Sequence, residues 1–182
     1  MTTIGVFGSS RREEGSSAYH EAYELGEVLA RAGYAVLTGG YGGSMGAVSR
    51  GAREVGGHVV GIACSLFDPA SANEWLTEEI RTASLIERLE TMLVRSDGFV
   101  AVRGGIGTLS EVTLAWSLLQ TRSFAKPLVL LGRHWRPVVT AFLEHTDLGT
   151  SIAGLVSIVD SPAQVAAALA TPPTPQSPPP LG

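Results

Sequence analysis

Six short apolar runs recur along the chain, and longer segments with helical spacing separate them. Each run is nearly continuous rather than alternating, which is typical of parallel strands that are buried on both faces. The runs are I-G-V-F at 4–7, Y-A-V-L at 34–37, V-V-G-I-A at 59–63, F-V-A-V at 99–102, L-V-L-L at 128–131 and L-V-S-I-V at 155–159. We expect these segments to form the strands of one sheet.

The segments between the runs predict helices. Residues 17–32 place four apolar side chains on one helical face, and Gly33 follows where a C-cap residue is expected. Those side chains are Ala18, Ala22, Leu25 and Leu29. Further helical windows cover 44–55, 86–96, 108–121, 135–145 and 162–170. Strands and helices in alternation predict an α/β protein with a Rossmann-like, doubly wound parallel sheet in three α/β/α layers.

The composition fits one domain. The 182 residues are 45% hydrophobic and 16% charged, which is enough to bury a sizeable core and unlike the composition of disordered chains. We assign residues 1–170 to a single nucleotide-binding domain. Residues 171–182 hold six prolines, which donate no backbone hydrogen bonds, and we expect a disordered tail there. A proline-rich ligand for another protein is the alternative for this tail.

Charge and patterning exclude several classes of partner. The net charge is −4 and the arginines are scattered, which argues against nucleic acid as a partner. No apolar run approaches the ~18 residues that a membrane helix needs, and the first residues lack a signal-peptide pattern, so we expect a cytoplasmic protein. Cys64 is the single cysteine, which excludes an intrachain disulfide and a cysteine-based metal site. We predict neither a metal nor a cofactor.

Three loops carry the residues best suited to ligand binding. In an open parallel sheet, such loops meet beyond the carboxyl ends of the strands. The first loop, G-S-S-R-R at 8–12, follows the first predicted strand. Its Ser9 and Ser10 either donate hydrogen bonds to a phosphate or ribose, or form an ordinary serine-rich start of the next helix.

The second loop, T-G-G-Y-G-G-S-M-G at 38–46, contains five glycines. Its spacing matches neither the dinucleotide fingerprint nor the triphosphate-binding loop. Because each glycine costs conformational entropy, we favour close approach of a ligand over a merely flexible turn. The glycines expected at the ligand are Gly39, Gly40 and Gly43. Candidates for contact with a flat ligand are Tyr41, Met45 and Trp116.

The third loop reads R-G-G-I-G-T-L-S-E at 103–111. Its glycines admit a ligand close to the main chain; they are Gly104, Gly105 and Gly107. Thr108 supplies a hydroxyl at the start of a helix, and Glu111 lies one turn later on the same face. On helix logic alone, Thr108 and Glu111 form a T-x-x-E capping box, so that the glutamate only reaches back to the helix start.

These motifs resemble those of the Lonely Guy family, the cytokinin riboside 5′-monophosphate phosphoribohydrolases. R-G-G-I-G-T-L-S-E resembles the family's P-G-G-x-G-T-x-x-E, and G-G-Y-G-G-S-M-G resembles its G-G-G-x-x-G-L-M-G. A third element, the family's helical arginine, falls on Arg88 within S-L-I-E-R-L-E-T-M. The resemblance spans roughly residues 3–145.

The resemblance implies a function. It makes Arg88 and Glu111 the catalytic pair at the ribose and gives Thr108 and the glycine loops the 5′-phosphate. The implied reaction is hydrolysis of AMP or an N6-modified AMP to the free base and ribose 5-phosphate. The family also implies a homodimer, for which the apolar stripe of helix 112–119 is a candidate interface; the same stripe alternatively faces the sheet.

Several positions depart from the family pattern. Arg103 replaces the motif's proline, Ser110 replaces a common glutamate, and Ile86 and Leu89 stand beside Arg88 where many members have His and Lys. The chain is also similar to the molybdenum cofactor carrier proteins, which share the fold and the motif ending L-S-E. A carrier or sensor that binds a phosphorylated ligand without chemistry is therefore the alternative function. Lysine decarboxylation, the family's older label, is not expected. That chemistry usually requires a lysine that forms a Schiff base with pyridoxal phosphate, and the one lysine here directly precedes a proline at a strand start.

Overall fold

A seven-stranded parallel sheet organises the protein. The structure is a computed structural model that describes residues 1–11, 14–67, 72–146 and 150–171. The strands are β1 (Thr3–Phe7), β2 (Ala35–Thr38), β3 (Val59–Cys64), β4 (Glu78–Thr82), β5 (Gly98–Ala101), β6 (Leu128–Leu131) and β7 (Ser157–Val159). Their order across the sheet is β4-β3-β2-β1-β5-β6-β7, and every pair is parallel. The six predicted strands and the Rossmann-like class are confirmed.

Helices cover both faces of this sheet. They are α1 (Ser17–Arg31), α2 (Gly43–Glu54), α3 (Leu85–Arg95), α4 (Ile106–Gln120), α5 (Trp135–His145) and α6 (Val165–Leu169). The last predicted helical window begins instead with a 3-10 turn, Pro162–Gln164, and only then becomes α6. Of the predicted tail at 171–182, residues 172–182 lie outside the described residues.

Strand β4 was not predicted from the sequence. It reads E-E-I-R-T, and only Ile80 and Thr82 turn toward the protein. It lies at the edge of the sheet and pairs with β3 alone. An edge strand that is exposed along one side does not need the continuous apolar run that identifies the central strands.

Two apolar cores form the three-layer arrangement. On one face, α3, α4 and α5 pack against the sheet through side chains that include Met92, Trp116 and Val139. On the other face, α1, α2 and α6 pack through side chains that include Leu25 and Val48. The sheet separates the two cores, as the doubly wound prediction requires.

The apolar stripe of helix 112–119 faces the sheet. Val112, Ala115, Trp116 and Leu119 are all buried there. The Trp116 indole N–H donates to the Ile152 carbonyl at 3.1 Å, so this ring belongs to the core. The stripe therefore packs against the sheet, as the second of the two predicted alternatives has it, and is not an exposed interface.

The strand order reverses between β1 and β5, and this point positions the candidate site. The helix after β1 lies on one face and the helix after β5 on the other, which leaves a crevice beyond the carboxyl ends of these two strands. Open α/β sheets bind ligands in such a crevice. The loops after β1, β2 and β5 all reach it.

Candidate active site

A cavity of about 810 Å³ opens at the switch point. Its volume is within the range of small-molecule sites, roughly 300–1,000 Å³. It is lined by Gly8, Ser9, Ser10, Arg11, Tyr41, Gly42, Met45, Phe67, Leu85, Arg88, Leu89, Gly105, Ile106, Gly107, Thr108, Ser110 and Glu111. The three loops chosen from the sequence and the start of α3 thus share one cavity.

Arg88 lies on α3 and is 6% exposed. Its Nε donates to the Ile62 carbonyl at 2.8 Å, which ties the side chain to β3. Gly39 makes room for it, since a Cβ built at Gly39 would collide with Arg88 Nη2. Gly39 was predicted to contact ligand, and in the structure its lack of a side chain provides the space that Arg88 occupies.

Glu111 lies on α4 and meets Arg88 across the cavity. The carboxylate is 7% exposed, and its Oε1 is 3.6 Å from Arg88 Nη1. This separation is an ion pair but is longer than a hydrogen bond. Burial raises the pKa of Glu111 to about 7, and the positive charge of Arg88 only partly opposes that rise. Near neutral pH the carboxyl is thus close to its midpoint of ionisation.

The start of α4 contradicts the capping-box interpretation. The helix begins at Ile106, two residues before Thr108, and its N-cap is Gly105, which offers no side-chain cap. Glu111 approaches Arg88 instead of the helix start. The first-turn amides of α4 therefore face the cavity without a side-chain acceptor, which is the arrangement that binds anions.

Thr108 carries a buried hydroxyl on this helix start. It is 3% exposed, and its Oγ1 has no hydrogen-bond partner within the described part of the chain. A Cβ at Gly104 would collide with the Thr108 side chain, so Gly104 is needed to seat the threonine. A buried hydroxyl without a partner costs free energy unless a ligand supplies the missing bond.

Helix α2 starts at the same cavity in a similar way. Its N-cap, Gly42, again provides no side-chain cap. Ser44, in its first turn, has a buried hydroxyl that also lacks a partner among the described residues. The Ser44 amide donates to the Ser9 carbonyl at 2.8 Å and so joins α2 to the loop after β1. Sequence reasoning missed Ser44, because nothing in a glycine-rich loop distinguishes a buried serine from an exposed one.

The predicted site residues divide into two groups. Those that line the cavity are Ser9, Ser10, Met45, Arg88, Gly105, Gly107, Thr108 and Glu111. Those that do not are Gly39, Gly40, Gly43 and Gly104. At each glycine of the second group a Cβ would come close to another part of the chain; at Gly43, for example, it would collide with the Ser9 carbonyl.

The departures from the family motif are also located. Leu89 and Ser110 line the cavity, whereas Ile86 is exposed on α3. Arg103 lies outside the main cavity and lines a separate hollow of about 340 Å³ together with Arg133 and Asp160. The proline-to-arginine departure therefore changes the neighbouring hollow rather than the wall beside Glu111.

Two lining side chains were not predicted at all. Arg11 brings a second cation to the cavity from the loop after β1, and Phe67 brings an aromatic ring from the turn after β3. Neither belongs to a recognisable motif. The signal that was available is positional, since both follow predicted strands at their carboxyl ends.

Two further features concern metal binding and membrane insertion. Within the described ranges, no three His, Cys, Asp or Glu side chains cluster as metal ligands would. Among the same residues, none of the helices has both the length and the apolar character needed to span a membrane.

An open parallel sheet with a buried arginine and glutamate in its switch-point crevice defines a Rossmann-like ligand-binding protein. Residues 1–156 match the SLOG cluster4 family, and the chain belongs to that family. The resemblance to the Lonely Guy phosphoribohydrolases is confirmed by similarity to curated proteins of that name.

Two relatives and one solved structure illustrate the similarity. A probable cytokinin riboside 5′-monophosphate phosphoribohydrolase of Oryza sativa subsp. japonica is 41% identical over 133 residues, which are 71% of this chain and 58% of that protein. A cytokinin riboside 5′-monophosphate phosphoribohydrolase of Rhodococcoides fascians is 31% identical over 150 residues, covering 79% of this chain and 74% of that protein. The molybdenum cofactor binding protein of Rippkaea orientalis gives a TM-score of 0.73 at 28% identity, covering 91% of this chain and 93% of that one.

Replacing Glu111 with glutamine should stabilise the protein in a pH-dependent way. The folded-state pKa of Glu111 is about 7, above its ordinary value of 4.5, so its contribution is complete below pH 4.5 and is lost as the pH rises through 7. Glu111→Gln, which mimics the protonated form, should match wild type at pH 4.5 and exceed it above pH 7 by on the order of 2 kcal/mol. Urea unfolding at both pH values measures this difference. An equal gain at both values would contradict the buried-carboxyl account.

Proposed function

We propose that the protein hydrolyses the N-glycosidic bond of a nucleoside 5′-monophosphate, releasing the base and ribose 5-phosphate. The observation that carries the proposal is the convergence of Arg88 and Glu111 with the uncapped start of α4 in one cavity. The cavity thus combines a phosphate-binding end with a buried ionisable pair. The names of the curated relatives support this reaction class.

The phosphate belongs at the start of α4. The first-turn amides there are free of side-chain caps, and the Thr108 hydroxyl supplies a further donor. Ser9, Ser10 and Arg11 line the same cavity. Helix N-termini favour anions through their dipole and their unpaired amides, and arginine adds a full positive charge.

The ribose belongs beside the ion pair of Arg88 and Glu111. Cleavage of the glycosidic bond develops positive charge on the sugar, and water adds at the carbon that the base leaves. Ionised Glu111 stabilises that charge and orients the water, and Arg88 holds the carboxylate and the sugar hydroxyls in place. With its pKa near 7, Glu111 is sufficiently ionised at neutral pH for this role.

The base belongs at the apolar end of the cavity. The apolar side chains that would contact it are Met45, Phe67, Leu85 and Leu89. Aromatic and thioether groups suit the flat face of a purine. AMP or an N6-modified AMP is the substrate class that we propose.

A second candidate function is a carrier of a phosphorylated ligand. Two observations favour it: the apolar Leu89 and the exposed Ile86 flank Arg88, and the chain closely follows the fold of a molybdenum cofactor binding protein. In this case the start of α4 holds the phosphate and no bond is broken. The ligand is then a nucleotide or the molybdenum cofactor itself.

Incubation with AMP separates the two candidates. We expect adenine and ribose 5-phosphate to appear, measured by chromatography with AMP, IMP, CMP and N6-benzyl-AMP as parallel substrates. Glu111→Gln should reduce turnover by at least about 10³-fold while AMP binding stays within about threefold, because the carboxylate acts only in the transition state. Tight AMP binding by calorimetry with no product from wild type on any substrate would reject the hydrolase and favour the carrier.

Thr108→Val should raise stability and weaken phosphate binding together. Valine removes a buried hydroxyl that has no partner, which should increase the free energy of unfolding by about 1 kcal/mol. The same change should weaken ribose 5-phosphate binding about tenfold, because one donor to the phosphate is lost.

Thr113→Val on the same helix is the matched control. Its hydroxyl already donates to the Leu109 carbonyl. Thr113→Val should therefore not combine higher stability with weaker ribose 5-phosphate binding. Urea unfolding and calorimetry measure both quantities. Unchanged ribose 5-phosphate affinity in Thr108→Val would remove Thr108 from the phosphate site.

We also propose that the protein forms a homodimer through α3 and α4. The family resemblance supports the dimer, and large apolar side chains are exposed on these two helices: Leu85, Ile86, Val94, Ile106 and Leu114. Light scattering should give twice the chain mass of 19.0 kDa. Val94→Asp should produce monomers, whereas Leu66→Asp, at a similarly exposed residue outside these helices, should not. A monomeric wild type would contradict the proposal.

A further inference from the structure

Arg88 is a buried cation with few direct partners. Its Nε has the Ile62 carbonyl, but its Nη1 stands 3.6 Å from Glu111, too far for a hydrogen bond. Arginine has a long side chain with several rotatable bonds, and one carbonyl does not fix the plane of its guanidinium. Something else must hold the guanidinium at this distance from the carboxylate.

The ring of Tyr41 lies against that guanidinium. The Arg88 Cζ is 5.8 Å from the ring centroid, within the range of a cation–π contact. The main chain at Gly39 also approaches the guanidinium closely, since any Cβ there would collide with Arg88 Nη2. The Tyr41 ring and the Gly39 main chain are thus both close neighbours of the guanidinium.

Tyr41 is itself held at both ends. Its hydroxyl accepts from the Cys64 amide at 2.8 Å and donates to the Cys64 carbonyl at 3.1 Å. The Asn73 side-chain amide donates to the Tyr41 carbonyl at 3.1 Å. Phe67 meets the ring edge-on at 5.8 Å between centroids. The ring therefore has a fixed position, and its hydroxyl is already engaged by the main chain.

We propose that Tyr41 is the positioning residue for Arg88: its anchored ring holds the guanidinium at the distance from Glu111 that the reaction needs. This inference rests on the proposed function, and it assigns the tyrosine a role other than hydrogen bonding to substrate. Successive contacts run from Cys64 through Tyr41 and Arg88 to Glu111, and they connect the end of β3 with the carboxylate on α4.

Two substitutions separate the ring from the hydroxyl. Tyr41→Leu removes the cation–π face, and Tyr41→Phe keeps the face but releases the tie to Cys64. Tyr34→Phe and Tyr34→Leu are matched controls, because Tyr34 packs into the core on the opposite face of the sheet. Each variant is examined for AMP hydrolysis, for the pKa of Glu111 by carbon-13 NMR, and for protection of the Arg88 Nε proton from exchange with water.

We expect Tyr41→Leu to lower kcat and kcat/KM equally, by about tenfold, with KM changed less than about threefold. The Arg88 Nε proton should exchange faster, since the bond to Ile62 loosens. The pKa of Glu111 should rise above the wild-type value, because Arg88 is the cation that lowers it. Arg11 is the other cationic side chain that lines this cavity among the described residues. Tyr41→Phe should fall between Tyr41→Leu and wild type.

Wild-type exchange protection together with an unchanged pKa of Glu111 in Tyr41→Leu would overturn the proposal, even if stability falls. If Tyr41→Leu does not fold, Tyr41→Phe decides the matter, and wild-type Arg88 exchange in that variant overturns the proposal. The two NMR readouts need no substrate. Absence of AMP hydrolysis with altered NMR values would therefore reject the proposed reaction while leaving the positioning role supported.

Discussion

The ion pair of Arg88 and Glu111 is the interaction on which the rest of the site depends. Removing two charges from water is unfavourable unless their environment compensates, and here the compensation is incomplete. Arg88 gains a carbonyl and an aromatic face, whereas burial raises the pKa of Glu111 to about 7. The pair joins α3 to α4 across the crevice. It requires a glycine at position 39, because a Cβ there would collide with Arg88. Such a costly arrangement is typical of functional sites.

The helix starts around the pair follow the same logic. Both α2 and α4 begin at glycine without a side-chain cap, and each buries a hydroxyl that has no partner among the described residues. In a purely structural setting these features would be replaced by ordinary caps. The start of α4 leaves free amides and the Thr108 hydroxyl at the cavity, and a ligand that satisfied them would add to the stability of the folded state.

The sequence predicts the sheet better than it predicts the site. Continuous apolar runs identify six of the seven strands, including β7 at the opposite edge, but β4 is charged and half-exposed, so no run marks it. The T-x-x-E spacing suggests a cap at Thr108, whereas the helix starts at Ile106 because glycines allow the turn to begin earlier. Arg88 was found only through the family resemblance. Arg11 and Phe67 reach the cavity from separate segments, and their convergence depends on tertiary packing that no local pattern encodes.

We propose that the phosphate binds at the start of α4 while the sugar lies beside the ion pair of Arg88 and Glu111. A crystal structure with ribose 5-phosphate tests this arrangement. We expect phosphate oxygens within hydrogen-bond distance of the Thr108 hydroxyl and the first α4 amides, with the anomeric carbon facing Glu111. A phosphate bound instead in the hollow lined by Arg103 and Arg133, or a sugar turned away from Glu111, would contradict it.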